Sequence, residues 1–465
     1  LSERVTEAAR QEVYARIDRR FDEFVEELRA YSRVPTISAR REAEAEGAEA
    51  TRALLRRHGV EARLMDVAGG PPMVVGEVPG APGAPTLILY NHYDVQPVDP
   101  IEQWRRPPFD PVVEDGKLFA RGVADTKGNT VAQAVAQATV RDVVGAAPVS
   151  LRFMVEGEEE VGSPHLPAFA RQHPGLFRGA GATIEGAGHT PDGVPEVYMG
   201  SKGILYVELR VRTAAVDQHS SLAASLPNPA WRLLEALRAI RDARGRVLIP
   251  GFYEGVPRPS REALNLLRTN PFDPRAWQKA YGVTEVFGGP TRLGRLRAYC
   301  YSPTCNIDGI VSGYTGPGSK TINPAHAAVK LDFRLVPGQR PLRILAALKA
   351  HLRRKGFADV EVIQHSTFEP GASSVSSGIG RALIAACRDV YGRPPAVFPW
   401  MGGSSSTWFY TSRGTSAALP PGVGYSGSLI HAPNEHIRLD DARRAIKAFA
   451  ALMLLWPQGA PARRP

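Results

Sequence analysis

Hydrophobic positions recur along this chain with two periods, and its candidate chemistry gathers where one period gives way to the other. Val5, Ala8, Val13, Ile17, Phe21, Phe24, Val25 and Leu28 recur mostly at steps of three and four, which predicts a helix from residue 5 to about 31, ended by Pro35. In "APTLILYNHYDV" a continuous apolar run predicts a buried strand from Thr86 to Tyr90 that runs into a loop. "NTVAQAVAQATVRDVV" reads as a small-residue helix packed on a sheet, and residues 149 to 155 return to a strand pattern. Such alternation predicts an α/β layer with a largely parallel sheet. In sheets of that kind, sites collect at the carboxyl ends of the strands.

Around Gly200 the pattern changes. "KGILYVELRVR" alternates as a strand, "NPAWRLLEALRAIRDA" is helical, and a long Pro- and Gly-bearing stretch follows to about residue 320. Then come a strand in "AAVKLDFRLVP", a helix in "PLRILAALKAHLRRKG" and a strand in "ADVEVIQHS". This order predicts a small α+β domain set into the first. From about residue 370 the α/β pattern resumes with the helix "GIGRALIAACRDVYG", and "GAPARRP" reads as a frayed tail.

The bulk numbers narrow the class. At 465 residues the chain is too long for one ordinary core and comfortable for two domains. Its three cysteines (Cys300, Cys305, Cys387) show no CxxC or zinc-finger spacing, which excludes a disulfide framework and fits a reducing cytoplasm. No apolar run reaches the length of a membrane span, and the charged opening segment is unlike a signal peptide. The formal charge of +10 comes mostly from arginines spread along the chain, without interleaved aromatics or a nucleic-acid motif, so no nucleic-acid partner is expected.

Against that basic background, "VSLRFMVEGEEEVGS" crowds Glu156, Glu158, Glu159 and Glu160 at the mouth of a strand. Other stretches share the placement. "NHYDVQP" puts His92 and Asp94 just past a buried strand, "RGVADTKGN" puts Asp125 just before a helix, "IEGAG" puts Glu185 after a short apolar run, and "LIHAPNEHI" adds His431. Carboxylates crowded on strand ends repel one another unless a cation neutralises them, so the cluster predicts a metal site. Mixed imidazole and carboxylate ligands without thiolate suit Zn²⁺, Mn²⁺ or Co²⁺. Asp94, two residues from His92, is placed to hold that imidazole in one tautomer.

Taken in order, "NHYDVQP", "RGVADTKGN", "EGEEEVGS", "DQHSS", "PTCNIDGI", "GPGSKTINP", "FRLVP", "GGS" and "HAPNEHI" resemble the dinuclear metallopeptidases that include carnosinase-type dipeptidases, glutamate carboxypeptidases, aminoacylases and succinyl-diaminopimelate desuccinylases. The likeness runs from about residue 20 to 450 and is nearest to the dipeptidase branch. It implies a catalytic domain with a mostly parallel sheet (1–201 and 367–465) and an inserted ferredoxin-like lid and dimerisation domain (202–366). It also implies two divalent ions, most simply Zn²⁺, bridged by Asp125, with His92 and Glu185 completing one site and Glu160 and His431 the other. Glu159 is then the general base that works with a metal-bridged hydroxide, and Asp94 orients His92. His219 would hold the oxyanion, reaching the neighbouring subunit of a homodimer, and Arg334, Thr321, Gly403 and Ser404 would contact a substrate carrying a free carboxylate. The implied activity is hydrolysis of the amide bond of dipeptides or similar small substrates, the alternative being an N-acyl or N-carbamoyl amino-acid amidohydrolase with the same machinery.

The chain departs from that pattern in places. Dipeptidases of this kind usually carry Asp where Glu185 stands, a glycine where Ser221 stands, and an acidic residue where Met401 stands. Trp400, Met401 and Trp408 either enlarge an apolar substrate pocket or belong to the core.

Overall fold

A computed structural model describes residues 5–456; the tail "GAPARRP" lies outside the described residues. The central sheet has six strands in the order Glu61–Met65, Met73–Val78, Ser150–Glu156, Thr86–His92, Gly181–Ile184, Ala417–Ala418. The first two are antiparallel additions, and the other neighbours run parallel. Side-chain alternation explains why both faces are covered. On Thr86–His92, Leu87 and Leu89 enter one apolar cluster while Ile88 and Tyr90 enter another. On Ser150–Glu156, Leu151, Phe153 and Val155 take the first side and Met154 the second. The first face carries the helices Lys127–Val144, Gly378–Tyr391 and Leu439–Leu454.

The predicted first helix is two helices, Glu7–Arg19 and Phe21–Ser32. Arg20 leaves helical geometry (φ −108°, ψ 15°) between them. The bend lets Val13 and Ile17 on one side, and Phe24 and Leu28 on the other, reach the same cluster, a tertiary gain that periodicity does not display.

A second sheet takes the order Asn306–Ser312, His326–Leu335, Gly203–Arg212, Glu361–Phe368, entirely antiparallel, with the helices Pro229–Ile240 and Pro341–Arg354 on one face. The fold is thus α/β with an inserted α+β unit, as the hydrophobic pattern predicts. The Pro- and Gly-bearing stretch is not loop throughout. It holds the helices Arg261–Thr269, Arg275–Tyr281 and Arg292–Tyr301 and the edge strand Asn306–Ser312. The first and third of these helices pack away from the second sheet: Leu267, Leu296 and Cys300, with Phe272 beside them, share a cluster with Val194, Ala396, Phe398 and Trp400. Among the described residues, no helix is long and apolar enough to cross a membrane.

Beside that cluster lies a buried carboxyl with a measurable signature. Glu196, 8% exposed, pairs along the Glu196–Tyr198 strand with Ala396–Phe398. Burial pushes it from 4.5 up to about 7, against a hydrogen bond with Tyr198. Between those values the folded state holds a proton that the unfolded chain has lost, so stability falls as pH rises through this window and levels off above it. The contribution is about 3 kcal/mol. Glu196→Gln is expected to remove this decline, so its guanidinium midpoint gains on the parent's from pH 4.5 to 7.5. Parallel midpoint curves would refute the assignment.

Candidate metal centre

Register places the site. His92 pairs with Glu156 across the parallel strands, and Tyr90 pairs with Ile184, so three strands end at one level. His92 is the last residue of its strand, and just beyond the three ends come Asp94, Glu159 and Glu160, and Glu185. Asp125 enters at the start of the Lys127–Val144 helix, where the dipole favours a carboxylate. His431 arrives on the loop before His436–Arg438. Glu185 (φ 51°) and His431 (φ 64°) both hold left-handed backbone, a strained choice for non-glycine residues that often marks function. Gly186 passes so close to the neighbouring loop that a Cβ on it would lie 2.6 Å from the Gly422 Cα, so the turn bearing Glu185 requires glycine there.

Asp125 lies between two imidazoles. Its Oδ1 is 3.1 Å from His92 Nε2, and its Oδ2 is 3.1 Å from His431 Nε2. Glu160 Oε2 is 3.1 Å from His431 Nε2 and accepts from Gln96 Nε2 at 3.0 Å. Ligand atoms of His92, Asp125 and Glu160 lie within 4.8 Å of one another. Glu185 is half-buried, and its buried Oε1 has no hydrogen-bond partner among the described residues. Glu159 neighbours this group without a hydrogen bond from its carboxylate to either histidine among the described contacts.

The electrostatics call for positive charge. Burial pushes Glu159 well above the usual carboxylate range, and Glu185 beside it pushes further. Glu160 is raised by burial and by Asp125. Burial raises Glu185 to about 7, against the pull of His92. Burial would depress both histidines, yet hydrogen bonds to Asp125 hold His92 well above its ordinary value and His431 up to about 11. Unpaired buried carboxylates are expensive. An orphaned Glu185 oxygen beside Asp125, Glu160 and two imidazoles fits a divalent cation site.

Supporting contacts hold these groups. His92 Nδ1 donates to the Asp94 main-chain oxygen at 3.0 Å, which leaves Nε2 to face Asp125. The Asp94 carboxylate accepts from Glu159 N at 3.2 Å and Glu160 N at 3.0 Å, so it also fixes the glutamate loop. Glu156 and Glu158 are structural. Glu156 accepts from Tyr90 and Ser163 and is pushed by burial to about 8, while Glu158 accepts from the His165 main chain and ring. Sequence reading passed over Glu435, although it sits within "HAPNEHI". Its carboxylate pairs with buried Arg121 at 2.9 Å and accepts from the amides of Gly122, Ala124 and Asp125, tying the His431 loop to the Asp125 loop.

The expected substrate contacts divide. Arg334 Nη1 donates to Ser404 Oγ at 3.0 Å, and Lys202 N donates to Gly403 O at 2.9 Å, so Arg334, Gly403 and Ser404 come together. His219 and Thr321 meet each other instead, Nε2 to Oγ1 at 3.5 Å, both exposed on the inserted unit. No hydrogen bond or ion pair joins them to the ligand cluster among the described residues. Of the three apolar departures, Trp400 is core, its indole N–H donating to Cys300 O. Trp408 packs edge-on to Phe409. Met401 lines a cavity beside Asp125 and Glu185.

An α/β sheet with clustered carboxylates and buried His92 at its strand ends, and His431 on a loop beside them, is the arrangement of a metal-dependent hydrolase. More narrowly, the chain belongs to the peptidase family M20/M25/M40, whose family model matches residues 88–455. It is 27% identical over 396 residues to the Beta-Ala-His dipeptidase of Rattus norvegicus, covering 83% of this chain and 80% of that one. It is 25% identical to the Cys-Gly metallodipeptidase dug1 of Schizosaccharomyces pombe, covering 94% and 96%. Among solved structures, the metallo-carboxypeptidase Sso-CP2 from Sulfolobus solfataricus superposes with a TM-score of 0.89 at 37% identity, covering 93% of this chain and 99% of that one.

Proposed function

We propose that the protein is a dinuclear metal-dependent exopeptidase that hydrolyses the amide bond of dipeptides or similar small peptides with a free carboxylate. The observation that carries this reading is Asp125, each of whose oxygens faces a different imidazole at 3.1 Å. That arrangement supports Asp125 as the shared ligand, His92 and Glu185 as one flank, and His431 and Glu160 as the other. When bound, divalent ions, most simply Zn²⁺, supply Lewis-acid charge that lowers the pKa of water and steadies a developing oxyanion. Glu159 takes the proton of the attacking water and returns it to the leaving amine. Arg334, whose Nε is held by Asp332 at 3.1 Å, and Ser404 hold the substrate carboxylate. Dipeptidase and carboxypeptidase activities share that need for a free carboxylate, and the peptidase names of the relatives weigh for peptides over N-acyl amino acids. A panel of dipeptides against N-acyl amino acids, with metal-loaded protein and identified products, tests the reading. Cleavage of N-acyl substrates alone would refute it.

In the same reading, residues 202–366 form a lid and dimerisation domain. The edge strand Asn306–Ser312 exposes Ile307, Ile310 and Val311, each more than half exposed, a ready surface for a second copy. His219 then reaches the neighbour's site and stabilises the oxyanion, with Thr321 beside it. Loss of such a donor costs about 10²–10³ in turnover. Mixing inactive His219→Ala protein with inactive Glu159→Gln protein and letting subunits reassort is expected to restore part of the activity, because one mixed site carries both intact groups. A fully active monomer would refute the exchange. The free cysteines, two of them buried, agree with a reducing compartment such as the cytoplasm.

A further inference from the structure

A cavity of about 230 Å³ opens beside Asp125 and Glu185, walled by Tyr198, Tyr299, Met401 and Leu419. Tyr299 comes from the Arg292–Tyr301 helix, inside the Pro- and Gly-bearing stretch of the inserted unit. That helix is firmly seated, since Leu296 and Cys300 are buried against Phe398 and Trp400. The tyrosine hydroxyls are tied to structure rather than left to a ligand. Gly402 N donates to Tyr299 Oη at 3.0 Å, and Tyr198 and Tyr299 share a hydrogen bond. Tyr198 stacks on Phe398 with ring centroids 4.7 Å apart. The only carboxylates on the wall are Asp125 and Glu185, both assigned to the metal centre. The rest of the lining is aromatic, thioether, aliphatic or small.

The cavity reaches Gly403, next to the Arg334–Ser404 contact that takes the substrate carboxylate in the reading above. With that end fixed and the scissile carbonyl over the ligands, the space on the Glu185 side remains for the group on the amino side of the bond. We propose that this cavity is the acyl-side specificity pocket, that it takes an uncharged apolar or aromatic side chain on the residue whose carbonyl is attacked, and that Tyr299 and Met401 set this preference. The proposal rests on the amide-hydrolysis reading and adds the substrate class to it. A fixed apolar wall favours a side chain that fills it, and it offers a side-chain ammonium no counter-charge once Asp125 and Glu185 serve cations, whereas the α-ammonium is common to every dipeptide and cancels from a comparison of side chains. Hydrophobic pockets discriminate by about 10–200-fold.

The test is a dipeptide series with a constant C-terminal alanine and Gly, Leu, Phe or Lys at the first position, measured with metal-loaded protein. The expected kcat/KM values for Phe-Ala and Leu-Ala exceed those for Gly-Ala and Lys-Ala by at least about tenfold. Met401→Glu is expected to raise the Lys-to-Leu ratio by at least about tenfold, and Tyr299→Ala to lower the Phe-to-Gly ratio, with metal content unchanged. Where Met401→Glu does not fold, Met401→Gln at an unchanged melting temperature reads the same ratio in the same direction. Cleavage without the preference, or ratios that folded variants leave unmoved, overturns the pocket assignment alone. No cleavage of any member overturns the amide-hydrolysis reading and this proposal with it.

Discussion

Glu159→Gln is expected to lower turnover by at least about a hundredfold while the bound metal stays in place. The substitution keeps shape and removes the capacity to accept a proton. Its place argues for a proton-carrying role: Glu159 stands next to the candidate ligand Glu160, and its carboxylate makes no hydrogen bond to either histidine among the described contacts. Glu160 differs by one position and contacts His431 at 3.1 Å. Glu160→Gln is therefore expected to weaken metal binding first and turnover as a consequence. Metal analysis after gel filtration, run beside steady-state kinetics, separates the two. If the substitutions exchanged phenotypes, the assignment across "EGEEEVGS" would be off by one residue.

How far such assignments can be read from a sequence depends on which interactions are local. The continuous apolar run from Thr86 to Tyr90 is local, and it correctly implies a buried strand. The cluster of chemistry at the strand ends is legible for the same reason, since a run of carboxylates after a buried strand has few inexpensive explanations. The break at Arg20 is not legible, because it answers to helices packed from more than a hundred residues away. Nor are the helices Arg261–Thr269 and Arg292–Tyr301 of the Pro- and Gly-bearing stretch, which are short and pack into a cluster with Phe398 and Trp400. Glu435 shows the limit most clearly. Its value lies in amides of residues 122, 124 and 125, roughly three hundred positions upstream, and nothing in its own neighbourhood announces that. Trp400 and Met401 are adjacent in sequence and part company in space, one in the core and one at the cavity.

Asp125→Ala is expected to abolish activity and to remove both metal ions rather than one. In the proposed centre the remaining ligands are His92 with Glu185 and His431 with Glu160, and Asp125 faces His92 and His431 at 3.1 Å each. Without it neither group retains a third protein ligand, and the charges of the two ions lose the carboxylate that screens them from each other. A readout independent of turnover is available. A ligand that binds only the folded state stabilises it by about 2.7 kcal/mol at a hundred times its Kd. Added Zn²⁺ or Mn²⁺ should therefore raise the melting temperature of the metal-stripped parent and leave that of Asp125→Ala almost unmoved. The parent should carry about two ions per chain, as a two-metal site requires, and the variant close to none, with circular dichroism confirming that it is folded. A variant that keeps one ion would show that Asp125 belongs to a single site. A variant with full metal content and near-normal turnover would remove Asp125 from the centre, and with it the reason for pairing the crowded glutamates with cations.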